Sequence, residues 1–589
     1  MTRNVLRGGV GLRGGGIGWM LATFFLSVLG LSTSGGMPSP AQAADGDDLQ
    51  ARLEAGEFAP VVRAAQAAPV ADRDAVLQQV GAAQAKAGLR RASLDTVRGM
   101  SDDRSRNAAL QDMPRGGLPG MGFGGVPQPD FDSLIELITS TIEPQSWDEV
   151  GGPGTIEEFR GGVSVDAHGF VNRNLNLDDG DRLQNVRAAF APTGVSSPAR
   201  RASPMRKVSL NRLEREVQLR LAAGQPLSEE MKLLAGLQRI QYVLIYPESG
   251  DIVLAGPASD WRTDREGRIV GVESNHPIMR LDDLVVVLRH RRDNPQGEFG
   301  CSIEPRPESL QATHDFLEES AKKPLKPGKA AREAWLAQLS AAMGQQDIRF
   351  DGVDATTHVA RVMFEADYRM KLVGIGLEET TFNVPSYLDL VQAAQGDPPP
   401  LGVLRWWFTI NYQSLSASPN RDVYEFHGQG VKVLSENEML DARGQRVHTG
   451  LAQPLNQEFA QNFTKNFPAL AEKYPVYGEL QNVFDLALAA ALIQGEDLPA
   501  RVGWHMTCFG DAEQYQVPRE HPPATVQTVI NHRVVERGKI LAAASGGVTV
   551  NPIKLVSFDA IKVEKSNRLE SQYRRGEPAD VARTGWWWD

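Results

Sequence analysis

Four side chains in one predicted helix hold the clearest chemical potential in this chain: His358, Arg361, Glu365 and Tyr368. A helix capped by Asp354 or Thr356 sets them at i, i+3, i+7 and i+10, along one face. Val359, Val362, Met363, Ala366 and Met370 then fall elsewhere around it. An imidazole beside a guanidinium and a carboxylate can move a proton, or hold an anion through paired N–H donors. The same residues also make an ordinary polar helix face, with Arg361 and Glu365 spaced as an i,i+4 ion pair. No nucleophile or metal shell stands beside them in the sequence, so any enzyme built on this stripe is a cofactor-independent hydrolase.

Other motifs are weaker. No H-E-x-x-H, P-loop, G-x-S-x-G or paired C-x-x-C occurs. Ser320 and Lys323 match S-x-x-K, but the companion S-D-N and K-T-G are missing and Pro324 follows at once. Gly120, Gly122 and Gly125 match G-x-G-x-x-G without a strand before them or a capped helix after them, which fails the dinucleotide test. Asn174, Asn176, Asp178, Asp179 and Asp181 form an oxygen-rich loop whose glycine is out of register for an EF-hand. Cys301 and Cys508 can pair as a disulfide in an oxidising compartment, or stand apart as two buried thiols. Both are solitary, so neither reading gives a metal site.

The address of the chain limits its chemistry further. Arg3, Arg7 and Arg13 precede an apolar run from Ile17 to Leu31, and Ala41-Gln42-Ala43 follows. That order is a secretory signal, with cleavage expected near Ala43 and residues 1–43 removed. A retained anchor is the alternative, although the run is shorter than the roughly 20 residues a bilayer crossing needs. No later segment is expected to span a membrane. An exported protein has no ATP or NADH pool, so no cofactor is expected. The net charge of −11 argues against nucleic acid as a partner. Partners are expected among other envelope proteins, with oligomeric state left open.

The 41% hydrophobic and 23% charged content is globular, and the length allows about three domains. Residues 44–110 read as a helical, tetratricopeptide-like module, or more simply a helical hairpin, with Leu53, Phe58, Val61 and Val62 on one face. Residues 111–129 are a Gly/Pro linker, and 130–192 a small α/β segment with a helix after Asp130 and a strand at Val163–Val165. Residues 193–240 read as linker and helix. The main α+β domain spans 241–560, opening with a hairpin of Tyr242–Tyr246 and Ile252–Leu254 around Pro247-Glu248-Ser249-Gly250-Asp251. Asp282–Arg289 reads as a short helix, and Arg289–Arg292 as its solvated end. Leu404–Tyr412 is a buried strand, and Gly428-Gln429-Gly430 a turn between two more. Phe459, Phe463 and Phe467 share a helix face, Pro475 breaks it, and Val483–Leu492 is a buried helix. Residues 561–589 are a polar tail ending in Trp586-Trp587-Trp588, whose indoles must dock on this chain or on a partner. Interspersed helices and strands without regular β-α-β alternation make the fold class α+β.

Asp130 to Val165 resembles a segment recurring in exported planctomycete proteins, including secretin-like ones. The strings YVLIYPESGDIVLAGPASDW from Tyr242, LDDLVVVLR, CSIEP, THVARVMFEADYRMK and Val384-Pro385-Ser386-Tyr387-Leu388-Asp389-Leu390 are similar to an uncharacterised planctomycete family of secreted proteins. The resemblance covers about two-thirds of the chain. It implies export and carries no activity, fold or catalytic residue. The sequence therefore reads as a secreted or periplasmic envelope protein that binds or scaffolds, with the hydrolase as the alternative.

Overall fold

In the computed structural model the described residues are parts of 49–53, then 58–66, 70–111 without 88, 155–159, 162–166, and 197–589 without 323–327, 382–383, 395–402, 441–445, 449, 521, 536–537 and 579–584. The predicted signal, the linker, the helix after Asp130 and the Asn/Asp loop at 174–181 lie outside them. The fold is a mixed α+β arrangement around one large sheet.

The N-terminal part forms helices α1 (Phe58–Gln66), α2 (Val70–Lys86), α3 (Arg90–Arg98) and α4 (Asp103–Gln111). Their apolar faces meet through Ala65, Leu77, Val97 and Met100. They reach α5 (Leu210–Ala222) through an Arg98–Glu216 ion pair of 3.3 Å and a Gln218–Asn107 hydrogen bond of 2.7 Å. A separate hairpin pairs Thr155–Phe159 with Gly162–Asp166, where a strand was expected.

Ten strands carry the main path of the sheet: β1 (Ser203–Ser209), β2 (Tyr242–Tyr246), β3 (Asp251–Ala258), β4 (Phe299–Pro305), β5 (Gln345–Asp351), β6 (Val403–Ala417), β7 (Val423–Leu440), β8 (Thr525–Gln527), β9 (Gly538–Val550) and β10 (Trp587–Trp588). Their spatial order is β8-β5-β4-β9-β6-β7-β2-β3-β1-β10. Neighbours run antiparallel except β6 and β9, which are parallel. Alternation divides the two faces. Val243 and Ile245 of β2 enter the main core, while Tyr242, Leu244 and Tyr246 enter a smaller core on the other face, with Leu569.

The main core is covered by α6 (Leu281–Asp293), α7 (His358–Gly374), α8 (Pro454–Lys465) and α9 (Pro475–Gly495), and the smaller one by α10 (Arg568–Arg575). Pro475 opens α9 at its first turn, where its missing N–H costs nothing. The helix is apolar on all sides and buried from Pro475 to Ile493. By length and composition it is long and apolar enough to cross a membrane; within this fold it is enclosed by protein.

Other expectations need correction. Ser203–Ser209, read as part of a linker, is a sheet strand, because its backbone pairs with β3 whatever its polar composition. Gly428 and Gly430 do not reverse the chain. At φ of 126° and 89° they absorb a bulge inside the continuous β7, opposite Asn411–Ser414, and a Cβ on Gly428 would meet the Asn411 carbonyl at 2.7 Å. The reversal comes at 418–422, where the Ser418 hydroxyl accepts the Asp422 and Val423 amides. Arg289 is no solvated end: its guanidinium donates to the carbonyls of Phe509, Asp511 and Tyr515, clamping a loop. The tail folds back on this chain, with Trp587 and Trp588 pairing with Val208 and Lys207 of β1.

Candidate functional site

The helix carrying the predicted stripe is capped one residue after Thr356 and three after Asp354, the two proposed caps. Thr357 caps α7, its hydroxyl accepting from the Ala360 amide at 3.2 Å, while Asp354 holds Thr356 in the preceding turn. His358 is therefore the first helical residue, and it is buried where α7 meets α6 and α9. Its Nδ1 lies 3.0 Å from both carboxylate oxygens of Asp283 on α6, and its Nε2 lies 3.8 Å from Glu479 on α9.

A charged network extends from this point. Arg268, 3% exposed, ties together Glu479 of α9, Glu365 of α7 and Glu266, the last at 3.2 Å. Arg361 pairs with Glu365 at 3.2 Å and with Glu520 at 2.6 Å, and Glu520 also meets Arg280 at 3.6 Å. The structure thus brings His358, Arg361 and Glu365 together. Tyr368 stands apart: it stacks on Phe364 with centroids 5.9 Å apart, and burial pushes its hydroxyl up to about 12. It lines a groove of about 360 Å³ with Leu336, Ser340 and Thr528, which none of the other three touches.

Burial sets the protonation of the central pair. It raises Asp283 to about 6 and holds His358 well below the usual imidazole value, with Arg280 adding to the depression. At neutral pH the imidazole is uncharged, and the carboxylate of Asp283 fixes its proton on Nδ1. An Asp-oriented imidazole is half of a general-base device. Its other nitrogen, however, faces a carboxylate already held by Arg268 rather than a hydroxyl or thiol. The arrangement joins three helices through hydrogen bonds and ion pairs. Among the described residues, no group of three or more His, Cys, Asp or Glu is placed to hold a metal ion.

The remaining candidates resolve structurally. Cys301 and Cys508 are free, buried thiols, both pushed up by burial, so the disulfide reading gives way to the separate one. Ser320 accepts the indole N–H of Trp335 and so joins two helices. Sequence reasoning missed Asp283, Arg268, Glu479, Arg280 and Glu520, which come from distant segments. It also missed two buried acids, Glu214 and Asp485. Glu214 of α5 accepts the amides of Cys508 and Phe509 at 2.7 and 2.6 Å and the Trp504 indole, and desolvation raises it to about 7. Asp485 of α9 takes Arg239, the Ile240 amide and the Tyr412 hydroxyl. Asp367 and Lys371 of α7 form a fully enclosed ion pair of 2.7 Å. An acid within an apolar helical run was the available signal for Asp485.

This is a large mixed α+β protein with a buried, self-compensated charge junction. Residues 301–387, from β4 to Tyr387, match the model of DUF1598, described as a protein of unknown function. No curated protein matches the chain, and no solved structure matches it.

Proposed function

We propose that this is an exported cell-envelope protein, of the planctomycete secreted family it resembles, which acts by binding or scaffolding. The observation that carries the reading is the fate of the polar stripe. Arg361 and Glu365 spend their charges on Glu520 and Arg268, and His358 turns its ring nitrogen to Asp283, as a fold-holding junction requires. The helical module at 44–110 and the linker after it supply the assembly surface in this reading. The test has two parts. Cell fractionation with N-terminal sequencing should find the chain beginning after Ala43 outside the cytosol; unprocessed protein in the cytosol overturns export. The His358→Ala variant should lose about 2–4 kcal/mol of stability to denaturant, through the cavity and the orphaned Asp283.

One contact favours the hydrolase reading: the Asp283–His358 pair has the orientation of a base and its positioning acid. Under that reading His358→Ala leaves the melting temperature near wild type and abolishes turnover of ester or amide probes. A stable but inactive variant would overturn the scaffold in favour of the enzyme.

A further inference from the structure

Lys207 is the one side chain of β1 whose charge the fold leaves unanswered. It is 6% exposed, and among the described residues no hydrogen bond or ion pair reaches its ammonium. The acid whose field it feels, Asp589, is held by Arg206 at 2.5 Å. Enclosing an uncompensated cation is costly unless something pairs with it. Lys207 lines a cavity of about 270 Å³ between the sheet and α10, with Met205, Leu244, Tyr242, Gln572 and the exposed Arg575. Two cations and no acid line this space, in a chain whose net charge is −11. Glu425, which takes the Tyr242 hydroxyl at 2.8 Å, is neutralised by Arg568.

We infer that this cavity binds a small monocarboxylate with an apolar body. The carboxylate pairs with the Lys207 ammonium, and Arg575 adds a second donor at the entrance. The Met205 and Leu244 side chains and the Tyr242 ring receive the hydrocarbon part. The volume equals roughly nine waters at ~30 Å³ each, which suits a short acyl chain or a single ring. This site is independent of the binding or scaffolding role proposed above.

The probe is hexanoate, titrated calorimetrically into the full mature chain, with hexanol and hexylamine as controls. Hexanoate should bind, and both controls should be at least about tenfold weaker, because only the carboxylate answers the buried charge. Lys207→Met keeps side-chain length and leaves the β1 ladder, which is made by backbone atoms, untouched. It should weaken hexanoate at least about tenfold without lowering the melting temperature. Arg575→Ala should weaken it by less. The inference is overturned if hexanoate fails to bind wild type at up to about 10 mM, if hexanol binds equally well, or if Lys207→Met binds as tightly as wild type.

Discussion

Glu214 offers a sharp quantitative test of how this fold handles buried charge. Its carboxyl is enclosed against the loop at Trp504–Phe509, and desolvation raises it from 4.5 to about 7 despite three donated hydrogen bonds. A group raised in the folded state binds its proton more tightly there than in the unfolded chain. The stabilisation this supplies is fully present below pH 4.5 and is lost as the pH rises through about 7. At about 1.4 kcal/mol for each pH unit of displacement, the swing is about 3 kcal/mol. Glu214→Gln keeps the shape but cannot titrate. It carries a fixed penalty, because its NH₂ group must face either the Trp504 indole or the two amides. The difference in unfolding free energy, variant minus wild type, should therefore climb by about 3 kcal/mol between pH 4.5 and pH 8. Urea titrations at four or five pH values measure it. A difference that stays flat within about 1 kcal/mol would refute the reasoning, since Glu214 would then be no harder to ionise in the fold than out of it.

Gly374→Ala should destabilise by about 1–3 kcal/mol, because the added Cβ falls 2.3 Å from the Trp406 ring, which is itself tethered to Asn456; a neutral effect on thermal melting would mean the ring moves freely. Both thiols should resist alkylation in the native protein and react only on unfolding, with reductant leaving the melting temperature unchanged. Replacing Trp587 and Trp588 by Ala removes the stacking on Arg206, 4.4 Å from the Trp587 ring, and loosens the edge of the sheet. Amide exchange at Ser203–Ser209 should quicken at least about tenfold, and unchanged protection would place the anchoring elsewhere.

What could be read from the residues followed from local pattern. The β2–β3 hairpin was legible because five strand residues alternate into a Pro-Glu-Ser-Gly-Asp turn, and the observed ladder runs Tyr246 to Asp251. Helix α9 was legible as buried because its apolar residues leave no wet face. By contrast, β1 was hidden by its own side chains, Ser203, Pro204, Arg206 and Lys207, which look like a loop until β3 supplies a ladder. The bulge at Gly428 was mistaken for a turn because glycine at positive φ serves either purpose, and only the partner strand decides. At the candidate site, helical spacing placed His358, Arg361 and Glu365 on one side of α7. Their partners were illegible: Asp283 lies 75 residues away and contributes through packing of α6 against α7, which no local pattern records. The spacing that linked Tyr368 to the stripe carried it a turn farther along α7, where it stacks on Phe364.

Helix α9 places a demand on whatever handles the chain before it folds. To an insertion apparatus, Pro475–Gly495 has the span and oiliness of a stop signal. Two residues oppose partition into lipid, Glu479 and Asp485, and an acid near the middle of such a segment costs about 2.5–3.5 kcal/mol in the hydrocarbon. Those same acids are answered in the finished protein by Arg268 and Arg239. The two carboxylates that make the segment a poor guest for lipid are thus the ones that seat it in the fold once the arginines arrive.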